Sequence, residues 1–433
     1  MNTTFSSMTV QRFLVNQGEL IELVEEEIGG LTPKVEQIVR AFDFSQIERA
    51  VYVARGYGNG RGAGQPEKDR CALACAFLAK AVLDLKTTRA LLDRLEADRK
   101  LRRLCGFDLR VALPSEVTFS RAYDEFARGN LLERVHADMV KATLGDQLIG
   151  HISRDATAIE ARERVTKPND ANDTNGANGP TVPTVASETA PEGQAEAHAQ
   201  GAREGQPAGH REGQRESQRA EATAHHHALV APSAKPKRRR GRPRKGEVRP
   251  PAQPSPLERQ RGQSVEQMLA ELDTACAVGT KRNAQGYQTS WKGYKLHLDT
   301  ACCGVPISAV LTGANVHDSK LALPMSRITS RRVDVCYELM DAAYCSAVIR
   351  EDITAAGRVA LIDHNPRAGE KREFAPHEAQ RYKTRSSAER CNARLKDEFG
   401  ARHVQVRGHA KVRCHLMLGV VALCADQFTR LLQ

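Results

Sequence analysis

The sequence is poor in aromatic residues, which make up 5% of its 433 positions and include a single tryptophan. No apolar run approaches the roughly 18–20 residues that span a bilayer, and the opening MNTTFSSMTVQRFL does not read as a signal peptide. Both absences argue against membrane and secreted classes. The eleven cysteines have no framework spacing, and Cys71 and Cys75 fall at helical spacing in an apolar stretch. A reduced, cytosolic set of thiols is therefore expected rather than disulfides or a metal site. Acidic residues are in deficit, 53 against 64 Lys and Arg, for a net charge of +11. That excess predicts a polyanionic partner, nucleic acid before any other. What is present is otherwise ordinary: 40% hydrophobic residues with 32 glycines, enough for a sizeable core. At roughly 100–200 residues per domain, the length predicts two or three domains.

The shortage of large apolar residues is concentrated in one place. From 165 to 256 there is no Ile, Phe, Tyr, Trp, Met or Cys, and Leu229 is the only leucine. Asn/Asp/Gly clusters lead to a loose REGQ repeat, an incidental run of three histidines at 225–227, and a basic block. Such a stretch cannot bury enough apolar surface to offset its ordering entropy, so it is expected to be a disordered insertion. It leaves residues 1–145 as a helical N-terminal domain, 146–164 as the first strand of a second domain, and 257–433 as that domain's remainder.

Within 68–145, CALACAFLAKAVLDL and TTRALLDRLEADRKLRRL carry Leu and Ala at helical spacing with charges opposite. In LPSEVTFSRAYDEFA, Pro114 and Ser115 mark a helix start, and Phe119, Tyr123 and Phe126 fall on one stripe. A helix-turn-helix DNA reader with Arg121 exposed and a plain helical bundle both fit this pattern. After the insertion, LERQRGQSVEQMLAEL reads as one amphipathic helix, and then the period changes. WKGYKLHLDTA and VPISAVLTGANV form a hairpin about Cys302-Cys303-Gly304. HDSKLALPMSRI is a helix, VDVCYELMDAAY a strand ending in a carboxylate, SAVIREDITAAG a helix, RVALIDHN a strand, and 386–399 a helix. This order predicts an α/β fold, a mixed sheet flanked by helices, beside an all-α N-terminal domain.

Three acids stand out. Asp155 lies in a β-prone stretch and Asp341 at a strand end, where Asp is depleted, so each is either a turn cap or a functional carboxylate. The third is Glu389, in RYKTRSSAERCNARLKDEF. On a helix beginning at Tyr382, the side chains of Tyr382, Arg385 and Lys396 fall within about 40° of Glu389, on a stripe roughly 21 Å long. A carboxylate among a phenol, a guanidinium and an ammonium suits an acidic metal ligand in a row of phosphate contacts; a solvated charged face is the competing reading. His317 with Asp318 reads as a helix cap, and Trp291 as packing on the sheet rather than stacking on a base. Nine of the fifteen residues at 235–249 are basic. There Arg240-Gly241-Arg242-Pro243 looks like an AT-hook, whose arginines enter narrow A·T-rich minor grooves; a nonspecific basic tether is the equal alternative.

Tyr-x2-Arg-x3-Glu-x6-Lys resembles the signature of insertion-sequence transposases of the IS-four type, within the DDE superfamily. Tyr382, Arg385, Glu389 and Lys396 meet it with no spacing error. The strings HISRDATAIEARE, GTKRNAQGYQTSWKGYKLHLDTA and NVHDSK are similar to that family as well, so the likeness covers nearly everything outside the low-complexity segment. The resemblance implies a ribonuclease H-like core with a mixed five-stranded sheet. Its first Asp lies on the first strand, its second after the fourth, and its Glu on a late helix: here Asp155, Asp341 and Glu389. It further implies DNA as partner, both terminal inverted repeats and target, with Tyr382, Arg385 and Lys396 on the strand. A homodimer or larger assembly, nucleoid-associated in the cytoplasm, goes with that reading. One departure is plain: the insertion follows the first strand, whereas several family members carry a β-rich one between the second Asp and the Glu.

Cutting and joining DNA are in-line displacements at phosphorus, in which charge develops on both the entering and the leaving oxygen. Two Mg²⁺ or Mn²⁺ ions held by the three carboxylates would stabilise both, and hard ions of this kind take oxygen ligands. Two other classes compete: a DNA-binding descendant that no longer catalyses, and a related nuclease that cuts without joining.

Overall fold

The computed structural model describes residues 20–55, 69–165, 254–282, 285–365 and 373–432. The low-complexity segment, with Arg240 and Arg242, lies outside them. The chain begins in helices: α1 (Leu20–Ile28), α2 (Pro33–Ser45), α3 (Ile47–Arg55), α4 (Arg70–Val82), α5 (Thr88–Ala97), α6 (Arg99–Leu104), α7 (Glu116–Arg128) and α8 (Leu131–Leu144). Helix α4 is apolar almost all round, and ten of its thirteen residues are buried, as befits the centre of a bundle. The stretch expected to be one helix from Thr87 to Leu104 breaks at Asp98, which leaves helical geometry and caps α6 by accepting from Leu101 N at 3.0 Å. Helix α7 starts as expected, with Ser115 as its N-cap. Its stripe of Phe119, Tyr123 and Phe126 meets Phe77 of α4 edge-on, with ring centroids 5.6, 5.0 and 6.5 Å away.

Strand β1 (Leu148–Glu160) follows. Beyond the undescribed segment come α9 (Pro256–Arg261) and α10 (Val265–Ala270), where one helix was expected. Gly262 ends the first, and Ser264 opens the second in a reciprocal capping box with Gln267, so local hydrogen bonding outweighs the continuous apolar pattern. The remaining elements are β2 (Ala277–Arg282), β3 (Gln288–Ala301), β4 (Pro306–Gly313), α11 (Ala322–Ser330), β5 (Asp334–Met340), α12 (Ala347–Ala355), β6 (Val359–Ile362), α13 (Pro376–Tyr382), α14 (Ser386–Glu398) and α15 (His409–Leu432).

The sheet is mixed and has six strands where five were expected. Strand β1 runs antiparallel to β3, from Ile152 opposite Ala301 to Glu160 opposite Gly293, and parallel to β5. β3 pairs antiparallel with β4, and β5 pairs parallel with β6. These five strands form the core; the extra one is β2, laid along the N-terminal half of β3. The β3–β4 turn is Cys302-Cys303-Gly304, with Gly304 at φ +82. Gly279 of β2 faces the Trp291 ring so closely that a Cβ there would sit 2.4 Å from it. Trp291 therefore packs on the sheet, and its indole N–H donates to Tyr294 O at 3.0 Å.

Arg154 and Asp155, neighbours on β1, point to opposite faces of the sheet. Arg154 is fully buried. Its Nε and Nη2 donate to both oxygens of Asp299 on β3 at 2.7 and 2.8 Å, and its Nη1 to Ala322 O at 2.9 Å. Its Nη2 also lies 3.1 Å from Glu338 on β5, whose other oxygen takes Arg358 at 2.6 Å and Ser326 Oγ at 2.7 Å. Two guanidinium groups and two carboxylates thus neutralise one another inside the protein and tie β1, β3 and β5 together. On the other side, the largest apolar cluster runs from the N-terminal helices through α15 into the sheet. Helix α15, 24 residues long, is apolar enough to cross a membrane by length and composition, yet most of that stretch is buried against α2, α4, α7, α8 and β4. All eleven cysteines are free thiols.

Candidate active site

Alternate residues of β1 face α14 and the turn before it. His151 Nε2 lies 3.0 Å from Thr384 Oγ1, and Ser153 Oγ accepts from Ser387 at 3.3 Å. Asp155 comes next on that face. Asn392 Nδ2 donates to its Oδ2 at 3.0 Å, and Arg385 Nη1 lies 3.6 Å from its Oδ1. Burial pushes the Asp155 carboxyl above its ordinary range; Arg385 and Lys281 oppose that, and nearby Asp341 adds to it. Asp341 follows β5, the strand beside β1. Its Oδ1 accepts from Ala343 N at 3.0 Å, so it does cap a short 3₁₀ turn, Ala342–Tyr344. Burial raises its carboxyl too.

Glu389 lies in the first turn of α14, exposed, and accepts from Arg385 Nη2 at 2.7 Å. The helix does not run unbroken from Tyr382: residues Lys383–Arg385 form a 3₁₀ turn between α13 and α14. Across this turn Tyr382 stays beside Arg385, and its hydroxyl donates to Met340 O at 3.1 Å, just before Asp341. Burial pushes the Tyr382 phenol up to about 12. Arg385 is the hub. Burial alone would lower its guanidinium, but Tyr382, Asp155, Glu389 and Asp341 together raise it. Lys396, further along α14, is half-buried and its ammonium is lowered first by burial, then by Arg402 and Lys281. Arg121 is exposed on α7. His317 caps the 3₁₀ turn Asp318–Leu321, and Asp318 pairs with Lys295 at 2.8 Å.

Two side chains escaped the sequence reading. Asn392, three residues beyond Glu389, is the polar group that holds Asp155, and its spacing on the helix was the available signal. Lys281, on the unexpected strand β2, acts on Asp155, Asp341 and Lys396 together. Only the pairing of β2 with β3 brings it there.

The three carboxylates therefore gather around one guanidinium. Among the described residues, no group of three or more His, Cys, Asp or Glu side chains is arranged to hold a metal ion. The donor chemistry nonetheless fits a hard divalent cation. Asp155 and Asp341 offer only oxygens, and a cation at them would relieve the burial that raises both, along with the repulsion that Asp341 adds at Asp155 and Asp318 adds at Asp341.

Residues 263–425 match the family model described as Transposase DDE domain, and residues 24–125 match the one described as Transposase domain (DUF772). Together these take in well over half the chain; the first includes Asp341 and Glu389, while Asp155 precedes it. No curated protein and no solved structure matches the chain.

Proposed function

Since the chain belongs to the transposases of the DDE superfamily, we propose that it is of the IS-four type. In this reading it binds the terminal inverted repeats of its own insertion sequence, cleaves there and transfers the strand to target DNA. The observation that carries this is Arg385, which bridges Asp155 and Glu389 and lies within electrostatic reach of Asp341. A structural ion pair needs one acid; three acids about one arginine, two of them with burial-raised pKa, mark a site kept for another cation.

The family generally uses divalent metal ions. Asp155, Asp341 and Glu389 would hold them, and Mg²⁺ or Mn²⁺, two ions in our reading, would supply charge for the oxygens that enter and leave phosphorus. The chain's own groups do the rest. Asn392 fixes the Asp155 carboxylate, and the Tyr382 hydroxyl anchors the turn against the strand that presents Asp341. Arg385, Lys281 and Lys396 form a cationic rim for strand phosphates. Arg121 on α7 and the arginines at 240 and 242 add contacts to flanking DNA, the protein acting as a homodimer or larger assembly on the nucleoid. In domain terms, residues 1–145 read DNA ends, 146–164 and 257–433 form the catalytic core, and 165–256 are a dispensable insertion.

Binding to a duplex that carries the element's terminal repeat tests the rim. Replacing Lys396 or Arg385 by Ala should weaken binding and lower the log–log salt slope by about one unit per lost phosphate contact. An unchanged slope in both variants would mean that these side chains do not face DNA. Deleting residues 170–230 should leave the melting transition in place, because closing a loop costs only slowly more with its length. Loss of a cooperative melt in that deletion would refute the domain assignment.

A further inference from the structure

At the far end of α14 from Glu389, a cavity of about 480 Å³ opens between the helical region and the segment after the helix. Its charge is one-sided. Lys80, Lys86 and Arg407 line it without a hydrogen bond or ion pair among the described residues, and its one acid, Glu116, already lies 4.0 Å from Arg89. Two further cations on its wall are engaged: Arg162 donates to Gln405, and Lys411 pairs with Asp124 at 3.1 Å. Tyr123 and Phe399 supply an apolar side. Burial pushes the Lys80 ammonium down to about 8, although Asp84 pulls the other way, so this charge is held at a cost that a bound anion would remove. The N-terminal end of α5, at Thr87 and Thr88, borders the same space, and the helix dipole adds a partial positive charge there.

We propose that this cavity takes a backbone phosphodiester of the bound DNA, with Lys80, Lys86 and Arg407 on its non-bridging oxygens and the deoxyribose against Tyr123 and Phe399. The inference rests on the transposase reading and adds a second anchor to it. Lys80 and Lys86 come from the region matched as Transposase domain (DUF772), Arg407 from that matched as Transposase DDE domain. A phosphate there would fasten the DNA to both. The cavity and Glu389 lie at opposite ends of α14, roughly 15 Å apart along its axis. That is about four base pairs of duplex at 3.4 Å each.

The test pairs a Lys80→Gln/Arg407→Gln variant with a photo-crosslinking residue at Ser120 on the cavity wall. On a duplex carrying the terminal repeat, the double variant should bind at least tenfold more weakly, with a salt slope smaller by about two units. Lys141→Gln, an exposed lysine on α8 away from the cavity, controls for charge alone and should change affinity less than twofold. The residue at 120 should crosslink to the labelled repeat strand, and millimolar deoxyadenosine monophosphate should not prevent it. Unchanged affinity and slope in a double variant that melts like the parent would overturn the proposal, as would a crosslink abolished by the free nucleotide. If the parent protein itself ignores the repeat, the transposase reading fails instead, so the two failures are separable.

Discussion

Alanine at Asp155, Asp341 or Glu389 should abolish nicking and joining while leaving terminal-repeat binding intact. Losing a ligand to the reacting charge removes several kcal/mol of transition-state stabilisation, a fall of about a thousandfold or more. The losses should not add, because the three groups act as a unit. Glu389→Ala should bind DNA at least as tightly as the parent, since Glu389 now occupies the Arg385 guanidinium that would otherwise meet a phosphate. Cleavage should need Mg²⁺ or Mn²⁺, with Ca²⁺ supporting binding only. The two half-buried aspartates carry a second signature. The folded pKa of Asp155 and Asp341 is raised, so their ionised forms lower stability above the ordinary carboxylate range, and the deficit shrinks as pH falls through the raised values. Asp155→Asn and Asp341→Asn should therefore melt above the parent at neutral pH, with the gap closing on acidification. Variants that melt lower at neutral pH would contradict a site strained for function.

The second large effect is expected behind the sheet. Arg154→Met leaves Asp299 and Glu338 buried with only Arg358 to balance them. Breaking a buried ionic cluster by removing one partner costs about 3–5 kcal/mol. The uncompensated carboxylates should then take up protons more readily in the folded than in the unfolded chain. Stability of this variant should consequently rise as pH falls from neutral toward the ordinary carboxylate range. Thermal melts across pH decide it: a variant as stable as the parent at neutral pH would mean that the cluster does not hold the strands together.

Much of this architecture is legible in the sequence because local rules carry it. The Phe119, Tyr123 and Phe126 stripe, the Cys302-Cys303-Gly304 turn and the strand ending at Asp341 each follow from spacing or turn chemistry. What escapes is set by tertiary pairing or by competition at a single residue. Strand β2 has weak alternation and exists through its ladder with β3, so Lys281 could not be placed beside the acids. The 3₁₀ turn Lys383–Arg385 has no breaker to announce it, and it divides a run that reads as one helix into two. Nothing local in the sequence marks Arg154; its burial depends on Asp299 and Glu338, 145 and 184 positions away in the chain.

The most direct test of transposition itself is a labelled duplex that carries the element's own terminal repeat, incubated with the protein, Mg²⁺ and an unlabelled target. The account predicts cleavage at the repeat's end and covalent transfer of the label to target DNA, with a scrambled repeat left intact. Equal cleavage of the scrambled duplex, or bound repeat that is neither cut nor joined, would contradict it.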